Sequence, residues 1–231
     1  MNVATERFLI EGPAGPIEVA RDVPPGGSAG HLLIAHPHPL FQGTMDNKVV
    51  QTLARAAVQK GWTAIRFNFR GVGQSGGTYD GGDGELADWL AVRSQLATAG
   101  PLAVAGFSFG AFVTCRALDA LSMANETVQH AVLVGTAVSR FDVPRVPTEW
   151  HERTLVVHGE ADDTVELKDV MAWARPQALP VLVVPEVGHF FHGQLPLLKY
   201  VVSRHLSLPV TAYLKRNPPQ RIHNEFELFD G

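Results

Sequence analysis

The sequence predicts an α/β fold, a doubly wound and mostly parallel sheet with a leading antiparallel hairpin. Short apolar, β-branched runs recur along nearly the whole chain, and amphipathic stretches lie between them. Each run is continuously apolar, which is typical of strands buried on both faces of a parallel sheet. Repeated strand–helix–strand units place helices on both faces of such a sheet.

The elements follow in chain order. Residues 7–11 and 16–20, joined by a turn rich in Gly and Pro, predict the leading hairpin. The six predicted strands of the main sheet then span residues 31–35, 62–67, 102–106, 131–135, 154–158 and 181–184.

Four apolar stripes at helical spacing predict the main helices, the first of which Asp46 or Asn47 can cap. Another helix begins near Val165, with Asp163 as its expected cap. The stripes consist of Val49, Val50, Leu53, Ala57 and Val58; Leu86, Trp89, Leu90 and Leu96; Phe112, Cys115, Leu118 and Leu121; and Leu195, Leu198, Val202 and Leu206.

The length of 231 residues suits a single domain, residues 1–231, with a core at about 5–207 and a C-terminal extension at 208–231. Residues 137–152 contain Pro144 and Pro147 and are too few for a separate cap domain. We find no internal repeat and no domain boundary.

Composition excludes several classes of protein. The net charge is −4 and no run of basic residues exceeds two, so we expect no nucleic-acid partner. The single Cys115 cannot form an internal disulfide or a cysteine zinc cage. The apolar runs are too short to span a membrane, and the N-terminus does not resemble a signal peptide. We therefore expect a cytoplasmic protein with no membrane partner; its oligomeric state stays open.

The strongest local signal for chemistry is Gly106-Phe107-Ser108-Phe109-Gly110, between a predicted strand and a predicted helix. In such a tight turn only small residues fit on either side of the serine at the two outer positions of the motif, which are Gly106 and Gly110 here. The turn exposes the hydroxyl at a helix N-terminus, where developing negative charge is favoured. The alternative is a turn serine that only caps a helix.

A nucleophilic serine needs a base, and the base needs an acid that orients it. After the next-to-last strand the chain carries Asp162 and Asp163, and after the last strand it carries His189 and His192. The order Ser, Asp, His follows the carboxyl ends of successive strands, where open α/β sheets bind ligands. A base at His192 is the less favoured choice.

Three further motifs make the chain recognisable, namely residues 36–39 (HPHP), 43–47 (GTMDN) and 66–75 (RFNFRGVGQS). Over about residues 5–207 the chain resembles the α/β-hydrolase superfamily, and more narrowly a small bacterial group without a cap domain, generally described as predicted hydrolases or esterases. The resemblance implies Ser108 as nucleophile, Asp162 as acid and His189 as base.

Two departures from the superfamily pattern matter. Many members have His-Gly where this chain has His36 and Pro37, and proline has no N–H to donate to an oxyanion. The second oxyanion donor beside the Phe109 N–H is then His38 or Leu40. The other departure is Asn68, at a structural position that often holds Asp.

Other side chains carry weaker signals. Four histidines (His36, His38, His189 and His192) lack a matched carboxylate pattern, so we expect no metal. Cys115 falls on an apolar helix face, as expected of a core thiol. Phe41, Phe107 and Phe190 are the predicted substrate-binding residues; Phe109, Phe141 and Phe191 are further aromatic candidates for an acyl pocket.

The sequence as a whole predicts a cofactor-independent serine hydrolase for small-molecule carboxylic esters or thioesters. A peptidase or a perhydrolase on the same fold is the alternative within enzymes. A binding protein that retains an idle hydrolase scaffold is the alternative outside them.

Overall fold

The computed structural model describes residues 5–207, which fold around one eight-stranded sheet. The strand order is β1-β2-β4-β3-β5-β6-β7-β8. The strands are β1 (Glu6–Gly12), β2 (Gly15–Asp22), β3 (His31–Ala35), β4 (Thr63–Phe67), β5 (Leu102–Phe107), β6 (Val128–Val134), β7 (Thr154–Gly159) and β8 (Val181–Val184). The first two form an antiparallel hairpin that joins β4 antiparallel, and the other six run parallel. The predicted fold class is confirmed.

Helices cover both faces of the sheet. They are α1 (Lys48–Gln59), α2 (Asp83–Leu96), α3 (Phe109–Met123), α4 (Leu167–Ala174) and α5 (Leu195–His205). One apolar core includes side chains of α2, α3 and α4, and the other includes side chains of α1 and α5. Alternate residues of β3 enter opposite cores, which explains why its sequence is continuously apolar: Leu33 lies in the first core, and Leu32 and Ile34 lie in the second.

The local signals at helix ends are resolved by side-chain contacts. Asn47 caps α1, because its Oδ1 accepts a hydrogen bond from the Val49 N–H at 2.9 Å. Asp46 instead forms ion pairs with Arg7 and Arg66. β6 begins at Val128, three residues before the predicted start at residue 131. The prediction missed this part of the strand because Gln129 and His130 are polar and interrupt the apolar run.

The connection between β6 and β7 packs onto the body of the protein. Val143, Val146 and Trp150 are buried in the first core, and the connection ends in a short 3-10 helix, Thr148–Arg153. The predicted C-terminal extension, residues 208–231, lies outside the described residues, and the assignment of the chain to a single domain stays a prediction. Within residues 5–207, no helix is both long and apolar enough to cross a bilayer.

Candidate active site

Ser108 occupies a sharp turn between β5 and α3. Its backbone has φ 57° and ψ −117°, a conformation that non-glycine residues rarely adopt and that stores strain. A Cβ on Gly106 would overlap the Gly110 carbonyl, and a Cβ on Gly110 would overlap the carbonyl oxygen of Ala35. The two glycines thus allow α3 to start directly against the ends of β3 and β5.

The structure brings Ser108, His189 and Asp162 together. Nε2 of His189 lies 3.0 Å from Oγ of Ser108, and its Nδ1 lies 2.7 Å from Oδ2 of Asp162. All three residues are buried, and His192 is exposed. The hydrogen-bonded chain therefore runs from hydroxyl to imidazole to carboxylate, with His189 in the middle position.

Asp162 is held as a carboxylate by its surroundings. Burial raises its pKa, but the hydrogen bond and the charge of His189, the Val165 N–H and the nearby His158 lower it more, so that the pKa lies below its usual value. Its Oδ1 accepts from the N–H groups of Thr164 at 3.0 Å and Val165 at 2.8 Å. Both oxygens therefore have partners, and Oδ2 is directed at the imidazole.

Asp163 is exposed, and the prediction that it caps the next helix is wrong. The residue at the cap position of α4 is Glu166, and no side chain accepts a hydrogen bond there. The N–H groups that an acidic cap would take, those of Thr164 and Val165, are bound by Asp162. The carboxylate that orients His189 thus also shapes the turn after β7.

His158 lies beneath this turn and is fully buried. Its Nε2 donates to the carbonyl of Val165 at 2.9 Å and lies 3.6 Å from Oδ2 of Asp162. Burial lowers its pKa, so the ring is neutral at neutral pH. The neutral His158 ring therefore stabilises the turn that carries Asp162 through its hydrogen bond to Val165.

The two candidates for the second oxyanion donor differ in their contacts. The N–H of Leu40 donates to Nδ1 of His38 at 3.2 Å, so it already has an acceptor. The N–H of Phe109 is the first of α3, and such N–H groups have no acceptor within their own helix. These contacts favour the His38 N–H over that of Leu40.

His36 holds the peptide that carries the His38 N–H. Its Nε2 accepts from the Phe69 N–H at 3.0 Å, so the ring proton is on Nδ1, which donates to the Pro37 carbonyl at 2.6 Å. Burial lowers the pKa of His36 to about 4, which keeps this neutral tautomer at neutral pH. Because His36 uses both ring nitrogens in this way, they are not available to a metal.

The predicted pocket residues divide into exposed and buried ones. Phe41 is 81% exposed and Phe190 is 45% exposed, so both offer apolar surface. Phe107 is fully buried, with its ring centroid 4.9 Å from that of His189. It supports the imidazole and presents no surface to a substrate, so its predicted binding role is corrected.

One aromatic residue near the site was missed by the sequence reasoning. The ring centroid of Tyr79 lies 4.8 Å from that of His38. Tyr79 belongs to a loop rich in glycine between β4 and α2, and no periodicity or motif singles it out.

Cys115 is a buried core thiol, as expected, and burial raises its pKa far above the usual value. Among the residues that the structure describes, no cluster of three or more His, Cys, Asp or Glu could hold a metal ion.

Comparison with known proteins identifies the family of the chain. A family model described as the alpha/beta hydrolase fold matches residues 36–152. The chain belongs to the α/β-hydrolase family.

Two solved structures with substantial sequence identity extend the likeness of this α/β hydrolase over most of the chain. An α/β serine hydrolase without a lid from Xanthomonas campestris is 34% identical, with a TM-score of 0.77, covering 89% of this chain and 95% of that one. An α/β serine hydrolase homologue from Coxiella burnetii is 36% identical, with a TM-score of 0.76, covering 89% of this chain and 100% of that one. Within residues 5–207 this hydrolase likewise has no separate lid.

A curated relative matches over a shorter region. An uncharacterized protein of Rickettsia prowazekii is 37% identical over 137 residues, which are 58% of this chain and 56% of that protein. The matched region spans little more than half the length of that relative.

Proposed function

We propose that this α/β hydrolase cleaves small-molecule carboxylic esters, thioesters included, through an acyl-enzyme on Ser108. The observation that carries the proposal is the continuous hydrogen-bonded chain from Ser108 Oγ through His189 to Asp162, within a family of serine hydrolases. Such a chain is what a serine needs to become a nucleophile at neutral pH.

In the proposed reaction, His189 Nε2 accepts the Ser108 proton as Oγ attacks the substrate carbonyl. The imidazolium that forms is stabilised by ionised Asp162, which accepts the hydrogen bond from Nδ1 at 2.7 Å. His189 then gives the proton to the leaving alcohol or thiol. Water, deprotonated by the same imidazole, attacks the acyl-enzyme and releases the acid.

The negative charge on the substrate oxygen develops between two backbone donors. We assign these to the N–H of Phe109, at the start of α3, and the N–H of His38, whose peptide is held through the Pro37 carbonyl by His36. The fixed orientation of both groups stabilises the tetrahedral intermediate without reorganisation, and the helix dipole adds to the effect. Leu40 is not assigned, because its N–H donates to His38.

The surroundings of the site favour acceptance of varied acyl groups over strict selection of one. Phe41 and Phe190 are exposed apolar side chains; the ring centroid of Phe190 lies 5.1 Å from that of His189, and that of Phe41 lies 4.8 Å from that of His38. The connection over residues 137–152 is anchored to the core by Ala137, Val143, Val146 and Trp150. We therefore expect short and medium acyl esters to be accepted with weak discrimination, since each buried methylene adds only about 1–3 kcal/mol of selectivity.

Labelling with a fluorophosphonate, followed by peptide mass spectrometry, tests the proposal. The reagent should label Ser108, and Ser108→Ala should abolish the label and lower the turnover of p-nitrophenyl butyrate by a factor on the order of 10⁶. Ser94→Ala, which removes an exposed hydroxyl on α2, is the matched control and should retain both properties. Wild-type turnover in Ser108→Ala would rule out this nucleophile.

A further inference from the structure

The imidazole of His38 lies within a group of aromatic rings beside the proposed oxyanion site. The centroids of Phe41 and Tyr79 lie 4.8 Å from that of His38, the centroid of Phe109 lies at 5.0 Å, and that of Phe141 lies at 5.8 Å. His38, Tyr79 and Phe141 are half-buried, Phe41 is exposed and Phe109 is buried. We call the group His38, Phe41, Tyr79 and Phe141 the aromatic slot; the other three rings contact that of His38, and Phe109 is buried against His38, Tyr79 and Phe141.

The hydrogen bonding of His38 determines which ring nitrogen carries the proton. Nδ1 accepts from the Leu40 N–H at 3.2 Å. Burial lowers the pKa of His38, so the ring is neutral at neutral pH and its one proton is on Nε2. Nε2 has no hydrogen-bond partner among the described residues. The slot therefore contains one N–H donor without an acceptor among apolar rings.

The slot lies next to the scissile carbonyl in the proposed reaction. His38 contributes one proposed oxyanion donor through its backbone, and Phe109, which contributes the other, packs against the His38 ring. Within this proposal, a substrate group attached to the scissile carbonyl on the side of His38 and Phe109 faces the His38 imidazole. His189, whose own ring contacts Phe107 and Phe190, has no ring contact with the slot.

From this arrangement we propose that the slot adds a preference for aromatic esters to the weak discrimination among acyl chain lengths. It binds a planar aromatic or conjugated group next to the ester carbonyl, and His38 Nε2–H donates to a hydrogen-bond acceptor on that group. A planar π system that contacts the exposed face of an aromatic side chain, at a centroid separation of about 4.5–7 Å, is favoured over a non-planar group. A group without an acceptor would enclose the N–H and leave it without a partner, which is unfavourable. This inference rests on the proposed function.

Substitution of Tyr79 tests the preference for planar groups. The probes are ethyl benzoate and ethyl cyclohexanecarboxylate, which have similar size but differ in planarity, and the readout is the ratio of their kcat/KM values. Tyr79→Leu should lower this ratio by roughly three- to tenfold, the effect expected for one aromatic contact. Tyr200→Leu removes an exposed tyrosine on α5 and should leave it unchanged. An unchanged ratio in Tyr79→Leu would overturn the inference.

Substitution of His38 tests the hydrogen bond. The probes are the three isomeric ethyl pyridinecarboxylates, each compared with ethyl benzoate, so that the ring shape is constant and only an acceptor nitrogen is added. Relative to wild type, His38→Phe should lower the ratio of kcat/KM by roughly three- to tenfold for at least one isomer. His38→Gln keeps a donor and should restore part of the preference. If no isomer loses its advantage in His38→Phe, the inference is wrong.

The outcomes separate this inference from the proposed function. Hydrolysis of all these esters, with the same ratios in wild type and variants, removes the aromatic slot as a specificity device and leaves the serine hydrolase intact. Failure of wild type to hydrolyse any ester or to react with a fluorophosphonate overturns both. If a His38 variant does not show a cooperative thermal transition, the Tyr79→Leu ratio alone decides.

Discussion

Asn68 joins two segments that are distant in the sequence. Its Oδ1 accepts from the Met45 N–H at 2.8 Å, and its Nδ2 donates to Oε2 of Glu18 at 2.8 Å. The same Glu18 oxygen accepts from the Gln74 N–H at 2.9 Å. An ionised carboxylate at this position could accept from the Met45 N–H but could not donate to Glu18, so the two contacts suit the amide of Asn68.

Replacement of Asn68 by Asp should therefore destabilise the fold. Two buried carboxylates would face each other, and we expect a loss on the order of 2–3 kcal/mol in the free energy of unfolding at pH 7. The loss should shrink towards pH 5, because a proton shared by the pair restores a donor. Urea unfolding at both pH values measures it.

A second substitution, at Glu18, tests whether the side chains at positions 18 and 68 interact. Glu18→Gln in the Asn68→Asp background restores an amide opposite a carboxylate and should recover most of the stability. Additive losses in the double variant would show that the two side chains do not interact.

The adjacent residues Asp162 and Asp163 should respond very differently to the same change. Asp162→Asn keeps an Oδ1 acceptor for the turn but places an amide against Nδ1 of His189, which favours the wrong tautomer, so turnover should fall by something like 10⁴. Asp163 is exposed and does not contact His189. Asp163→Asn should leave kcat unchanged, and steady-state ester hydrolysis by the two variants provides the comparison. An inactive Asp163→Asn beside an active Asp162→Asn would reverse the assignment.

At the scale of elements, the turn before α3 depends on backbone contacts that admit no side chain. The first turn of α3 packs so closely on the end of β3 that a Cβ on Gly110 would overlap the carbonyl oxygens of Ala35 and His36. Both obstacles are backbone atoms, so a rotamer change cannot relieve the clash. Relief requires α3 to shift away from β3, and with it the backbone of Ser108.

Gly110→Ala should therefore destabilise the protein and reduce fluorophosphonate labelling of Ser108. The higher helix propensity of Ala contributes about 1 kcal/mol of stability, and the clash outweighs it at about 3 kcal/mol. Gly188→Ala is a suitable control, since its Cβ would lie 3.7 Å from the Ala161 carbonyl oxygen, an ordinary contact. Thermal unfolding should show a large loss for Gly110→Ala and little change for Gly188→Ala.

At the scale of the whole molecule, several histidines are buried in the neutral form. Burial is the main cause that lowers the pKa of His36 and of His130 to about 4, and the charges of His205 and Arg153 contribute at His130. In the unfolded chain such side chains titrate near ~6.5. Between these pH values the unfolded state binds protons that the folded state does not. Stability is therefore complete above about pH 6.5 and is lost as the pH falls towards about 4.

His130 offers a direct measure of this loss. Its ring packs against Trp62 and His205 with centroids at 5.7 and 5.1 Å, and phenylalanine can occupy the same space. His130→Phe should reduce the slope of unfolding free energy against pH between about 4 and 6.5 by about 1.4 kcal/mol per pH unit, the value for one proton. Guanidinium unfolding at several pH values gives the slope. An identical slope in the variant would show that His130 binds its proton equally in both states.

Local patterns determined most of the architecture. Strand and helix positions follow from periodicities of a few residues, so the parallel sheet, the hairpin and the turn at Ser108 could be predicted from the sequence. The residue types needed for a serine nucleophile, its base and its acid could be named for the same reason. The resemblance to a lidless hydrolase group selected Asp162 over Asp163.

The tertiary structure decided which atoms meet. His189 contacts residues 81 and 27 positions away, and no local periodicity records which of two adjacent carboxylates faces its ring. Packing likewise buried Phe107, brought Tyr79 to His38, and directed the Leu40 N–H to the His38 imidazole. Secondary structure depends on backbone preferences within a few residues. The direction of a side chain or an N–H depends instead on the elements that pack around it, and these come from distant parts of the chain.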